Sequence, residues 1–161
     1  MKKIAVMISG NGTNLEAIVK ACHANNIYGE IVYVISNNPE AYGIERAKKY
    51  NIPIKIIDHK IYTNRDDFDD ALKEFLDNLE VDLIILAGFM RILGKNITEK
   101  FYGKMINLHP SLLPLYPGLN THTQALNNKD EYHGISIHFV SAELDAGPLI
   151  AQGKFLVKAD D

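Results

Sequence analysis

The chain has one cysteine and too little positive charge to give it a basic field. Cys22 alone cannot close an intrachain disulfide, and no CxxC redox or metal motif is present. Lysine and arginine number 17 against 20 aspartates and glutamates, a net charge of −3. That balance argues against nucleic acid or an anionic membrane as partner, and any anionic ligand must be held by a local site. Met1-Lys2-Lys3 is followed by an apolar run that stops at Ser9-Gly10, too short for a signal peptide or a membrane span. A cytoplasmic, reducing location is the expectation. Of the six histidines, no two have zinc-ligand spacing within a helix, so no metal is expected. Repeats, low-complexity tracts and interdomain linkers are also missing.

What remains is an ordinary globular composition, 47% hydrophobic and 23% charged over 161 residues, enough for one domain. Short apolar strands are expected at 4–8, 31–35, 54–57 and 81–86. Helices are expected from Thr13, where Glu16 completes a capping box, over Gly43 to Tyr50, and along Phe68, Ala71, Leu72, Phe75, Leu76 and Leu79. Thr98 reads as the cap of a short helix that Gly103 ends, and Thr121 to Asn128 as another helix. Gly134 to Val140 alternates, with Ile135, Ile137 and Phe139 on one face and Ser136 and His138 on the other. A last strand over 149–157 is expected to bulge at Gly153. Strands alternating with helices predict an α/β fold, a Rossmann-like and mainly parallel sheet with helices on both faces. Ligands in such sheets bind beyond the carboxyl ends of the strands.

That edge carries the chemistry. Ile106 to Pro114 reads as a buried strand entering a loop stiffened by Pro110, Pro114 and Pro117. Asn107 and His109 share one face of the strand. An amide beside an imidazole suits acyl chemistry, the first holding an oxyanion and the second moving a proton. Asp145 lies in a loop marked by Gly147-Pro148, where a carboxylate close to His109 would favour the imidazolium. The glycine-rich turn Ser9 to Asn14 between strand and helix can cradle a phosphate. It is not a dinucleotide fingerprint, because Leu15 stands where the third glycine belongs. Arg91 lies at the same edge and is a candidate anion contact. Arg65 reads as a solvated charge, His23 and His59 as surface residues, and His122, His133 and His138 as core or supporting ones.

Together Ser-Gly-Asn-Gly-Thr-Asn-Leu at 9–15, Leu-Ala-Gly-Phe-Met-Arg-Ile-Leu at 86–93, Asn-Leu-His-Pro-Ser-Leu-Leu-Pro at 107–114, Tyr-Pro-Gly at 116–118 and Glu-Leu-Asp-Ala-Gly-Pro at 143–148 carry a resemblance. The chain resembles the phosphoribosylglycinamide formyltransferases of purine synthesis, in order and over its whole length. The run at 107–114 is shared with methionyl-tRNA formyltransferase and formyltetrahydrofolate deformylase, and the N-terminal run points to the glycinamide ribonucleotide enzyme.

The resemblance implies formyl transfer from 10-formyltetrahydrofolate, as co-substrate, to the amine of phosphoribosylglycinamide, with no metal. Asn107, His109 and Asp145 would be catalytic. Gly12, Thr13 and Asn14, with Asn107, would bind the ribonucleotide. Arg65, Met90, Arg91, Ile92 and Leu93, and the loop of Ser141, Ala142, Glu143, Leu144 and Asp145, would hold the folate. Ala142 stands where the family often has an acid. A formyltetrahydrofolate hydrolase using the same triad is the alternative, and a non-enzymatic anion-binding module a further one; oligomeric state stays open. The last residues, Lys158-Ala159-Asp160-Asp161, read as a helix start, so one formyltransferase domain over 1–161, truncated before a C-terminal helix, is expected.

Overall fold

The computed structural model describes residues 1–158 and 161. One sheet contains seven strands: β1 (Lys2–Ile8), β2 (Gly29–Ser36), β3 (Ile54–Ile56), β4 (Leu83–Leu86), β5 (Met105–His109), β6 (Tyr132–Phe139) and β7 (Leu149–Leu156). Their order in space is β3-β2-β1-β4-β5-β6-β7. The first five run parallel, while β6 and β7 are each antiparallel to the preceding strand. The α-helices are α1 (Thr13–His23), α2 (Gly43–Lys49), α3 (Arg65–Leu79), α4 (Lys95–Lys100) and α5 (Thr121–Asn127). Among the described residues, no helix is long and apolar enough to cross a membrane.

The period-two pattern of β1 explains why both sheet faces are covered. Ile4, Val6 and Ile8 pack with Leu15, Ile18 and Val19 of α1, and Ala5 and Met7 pack with Phe68, Leu72 and Leu76 of α3. Each large aliphatic side chain so buried contributes about 1.5–3 kcal/mol. Five parallel strands put their carboxyl ends on one edge, where the first turn, the segment after β4 and the end of β5 meet.

Several local expectations are corrected. The helix over α1 does begin at Thr13, but its N-cap is Gly12 in the left-handed region, with no side-chain cap, so the Thr13–Glu16 capping box does not form. Glu16 instead turns to Arg46, Tyr50 and Lys20. Thr98 is not a cap: α4 starts after Gly94, and the buried Thr98 hydroxyl donates back to the carbonyls of Gly94 and Lys95. β4 begins at Leu83, after Asp82, whose carboxylate accepts from Lys2 and from the N–H of Lys3. The irregularity of β7 lies at Ile150, opposite the step from Ile137 to His138, not at Gly153. His59 is half-buried and hydrogen-bonded to Asn37 rather than free at the surface. The expected helix start at 158–161 falls on residues 159 and 160, which lie outside the described residues.

Candidate active site

β5 ends in the sheet edge, and its register against β6 builds the site. Asn107 lies directly opposite His138, and His109 opposite Ser136. Facing residues of an antiparallel pair share a side of the sheet. That side is the more buried one of β6: Ser136 is 0% and His138 2% exposed, whereas Ile135, Ile137 and Phe139 are only half-buried. The polar stripe faces inward because the loop after β5 folds over it. The Ser136 hydroxyl donates to the Ser111 carbonyl at 2.6 Å and accepts the Leu113 N–H at 2.9 Å.

Asp145 joins the pieces. It arrives on the loop after β6 with a left-handed backbone (φ 51°). Its Oδ2 accepts the Gly118 N–H at 2.8 Å and lies 3.4 Å from His109 Nδ1. Its Oδ1 lies 3.5 Å from Asn107 Nδ2 and 3.8 Å from His138 Nε2. The other nitrogen of His109, Nε2, is 2.8 Å from the Tyr116 carbonyl. Both ring nitrogens of His109 thus face acceptor oxygens.

His138 is a site residue and not merely core. Its Nδ1 is 2.8 Å from the Phe139 carbonyl, which can only accept, so Nδ1 carries the proton. In the neutral ring Nε2 is then an acceptor, and it faces Asn107 Nδ2 at 3.1 Å. The amide of Asn107 is therefore oriented NH2-first toward His138 and Asp145. These two acceptors are 3.8 Å apart, close enough to share one N–H and leave the second for a ligand.

A cavity of about 770 Å³ opens over this cluster. Met90 to Leu93 line one wall and Ser141 to Asp145 another, with Asn107, His109 and His138 at the base. Met90, Ile92 and Leu144 are more than half exposed and give it an apolar rim, while Phe89 and Leu93 are buried beneath. The segment after β4 is pinned from two sides. Ser9 Oγ accepts the Met90 N–H at 2.7 Å, and Asp69 Oδ2 of α3 accepts the Gly94 N–H at 2.7 Å. Asp69 is 5% exposed, and burial pushes its carboxyl above the usual range. Among the described residues, Asp69 Oδ1 and Arg91 Nε are buried without hydrogen-bond partners.

Not every expected residue meets there. Arg65 does not line the cavity; it starts α3 and its guanidinium lies behind Gly94. Gly12, Thr13 and Asn14 also lie outside the cavity, joined to it through Ser9, whose N–H donates to the Gly88 carbonyl. His122 is exposed at the cavity mouth and contacts His133 at 2.8 Å. Asp69 and the Tyr116 carbonyl escape a reading of the sequence, in which His138 is only a core or supporting residue. Strand alternation hints at His138, but the β5–β6 register that sets it against Asn107 does not appear in local pattern.

The formyl transferase family matches residues 2–161. The chain is 48% identical over 161 residues to the phosphoribosylglycinamide formyltransferase of Haemophilus influenzae, covering 100% of this chain and 76% of that protein. It is 48% identical over 158 residues to the Escherichia coli protein of the same name, covering 98% and 74%. Among solved structures, glycinamide ribonucleotide transformylase 1 from Symbiobacterium toebii superposes with a TM-score of 0.95 at 42% identity, over 100% of this chain and 76% of that one. The phosphoribosylglycinamide formyltransferase of Coxiella burnetii, in complex with CHES, gives 0.93 at 48% identity, over 99% and 75%. With the family matched from residue 2 to residue 161 and relatives near half identical, the chain belongs to the formyl transferase family, among its phosphoribosylglycinamide formyltransferases.

Proposed function

We propose that this chain transfers the formyl group of 10-formyltetrahydrofolate to the amine of phosphoribosylglycinamide, in the cytoplasm, with Asn107, His109 and Asp145 as the catalytic group. The observation that supports this best is the convergence of Asp145 on both Asn107 and His109 at the base of the cavity. The formyl-bearing end of the folate lies over that base. Its pterin sits between the walls formed by Met90, Arg91, Ile92 and Leu93 and by Ser141, Ala142, Glu143, Leu144 and Asp145. Arg65, outside the cavity beside Gly94, contacts the part of the folate that projects beyond it. The ribonucleotide phosphate takes the turn of Gly12, Thr13 and Asn14, and its amine extends toward Asn107.

The amine nitrogen attacks the formyl carbon, forming a carbon–nitrogen bond and moving the carbonyl electron pair onto oxygen. The free N–H of Asn107 and the charge of His109 stabilise that oxygen. One such donor is worth about 3–4 kcal/mol. Collapse re-forms the carbonyl and breaks the bond to folate N10, which needs a proton. The Nε2–H of His109 supplies it through water after leaving the Tyr116 carbonyl, and the amine gives up its own proton to solvent. Asp145 faces Nδ1 throughout and keeps the imidazolium in place.

A steady-state assay with both substrates tests the reading. Formyl transfer that requires the ribonucleotide supports it. Release of formate from the folate alone, at the same rate with and without ribonucleotide, makes the chain a hydrolase.

A further inference from the structure

We infer that Arg46 of α2 is a positioning residue for the turn assigned above to the ribonucleotide phosphate, and the inference rests on that assignment. Two successive carbonyls of the turn are held by α2. The Gly43 N–H donates to the Gly10 carbonyl at 3.0 Å, and Arg46 Nε–H donates to the Asn11 carbonyl at 2.8 Å. Both peptides are trans, so each C=O and the N–H bonded to its carbon point in opposite directions. Drawing these carbonyls toward α2 turns the N–H groups of Asn11 and Gly12 away from it. Among the described residues, neither N–H has a hydrogen-bond acceptor. They add to the free N–H groups that open α1, where an anion is favoured.

The clamp is close and rigid. A Cβ on Gly12 would lie 2.6 Å from Gly43 Cα, so turn and helix are in direct contact. Arg46 is itself fixed: Nη1 donates to Glu16, whose other oxygen accepts the Tyr50 hydroxyl, and the guanidinium lies 5.2 Å from the centre of the Tyr42 ring. Glu16 balances the charge of Arg46. The contribution is therefore direction, delivered by a planar fork that serves Asn11 and Glu16 together. Lysine has the charge but not the fork.

The test measures both Michaelis constants in Arg46→Gln and Arg46→Lys, and inorganic phosphate binding by titration calorimetry. Loss of one backbone-directed hydrogen bond predicts an increase of about tenfold in KM for the ribonucleotide in Arg46→Gln. Phosphate affinity should weaken in parallel, while kcat and the KM for formyl-folate stay within about twofold, because the turn lies outside the cavity and joins it through Ser9. Arg46→Lys should be impaired as well, and it carries the test if Arg46→Gln does not fold. An unchanged ribonucleotide KM, an equal rise in both constants, or full rescue by lysine overturns the inference. A wild-type chain that binds phosphate without transferring formyl refutes the functional reading alone, and weaker phosphate binding in the variants then still supports Arg46.

Discussion

Asp145 and two backbone carbonyls, those of Tyr116 and Phe139, orient the polar side chains of the site. Asp145 lies 3.4 Å from Nδ1 of His109, and the Tyr116 carbonyl lies 2.8 Å from Nε2. Asp145→Asn removes the charge beside the ring while its amide oxygen can still accept the Gly118 N–H. Turnover should fall about 10- to 100-fold with folate affinity changed far less, as measured by steady-state kinetics beside direct folate titration. Equal losses in both would mean that Asp145 acts by shaping the loop. His138 acts on Asn107 instead. With Nδ1–H on its neighbour's carbonyl, the neutral ring accepts at Nε2 from the Asn107 amide. His138→Phe should lower kcat by about tenfold at little cost in either KM, and His138→Gln, which keeps an acceptor within reach, should recover much of it. A His138→Phe variant with normal kcat would show that Asn107 needs no such partner.

At the scale of elements, turns and loop anchors hold the segments proposed to bind the substrates. Gly12 sits at φ 74° against Gly43, so Gly12→Val suffers both a backbone penalty and a clash. The expected result is weaker ribonucleotide binding with folate binding held, read by titrating each ligand separately; parallel loss of both would point to general unfolding. Asp69 anchors the other wall through Gly94. Burial raises its folded-state pKa above the ordinary 3.8, so the folded protein takes up a proton more readily than the unfolded chain. The ionised carboxylate therefore weighs against folding at neutral pH, and that penalty fades as pH falls through the folded value toward 3.8. Denaturant melts should show the wild type gaining stability relative to Asp69→Asn between pH 7 and 4. A constant difference, or one of opposite sign, would mean that Asp69 is not a buried charge of this kind.

Much of this was legible in sequence, for physical reasons. Apolar runs buried on both faces mark parallel strands, and the stripe through Phe68, Leu72 and Leu76 marks a helix, because both patterns follow from burial. Asn107 and His109 were visible because a strand repeats every two residues. Cap chemistry misled: Thr13 and Thr98 have the right identity, but Gly12 and Gly94 occupy the cap positions. The roles of His138, Asp69 and Arg46 depend on contacts between residues 25 to 35 apart in the chain, and local pattern holds no record of them.

Over the whole molecule, the parallel sheet is what turns distant segments into one site. The turn after β1, the segment after β4 and the end of β5 share an edge only because three adjacent strands run the same way. The antiparallel β6 then returns across β5 and delivers His138 and the Asp145 loop. The central claim is that this edge performs formyl transfer through His109. It is tested most directly by following folate-dependent formylation of phosphoribosylglycinamide by the wild type and by His109→Ala under the same conditions. The account predicts turnover by the wild type and a loss of about 100- to 1,000-fold or more in the variant, with both substrates still bound. Comparable turnover by the two proteins would contradict it.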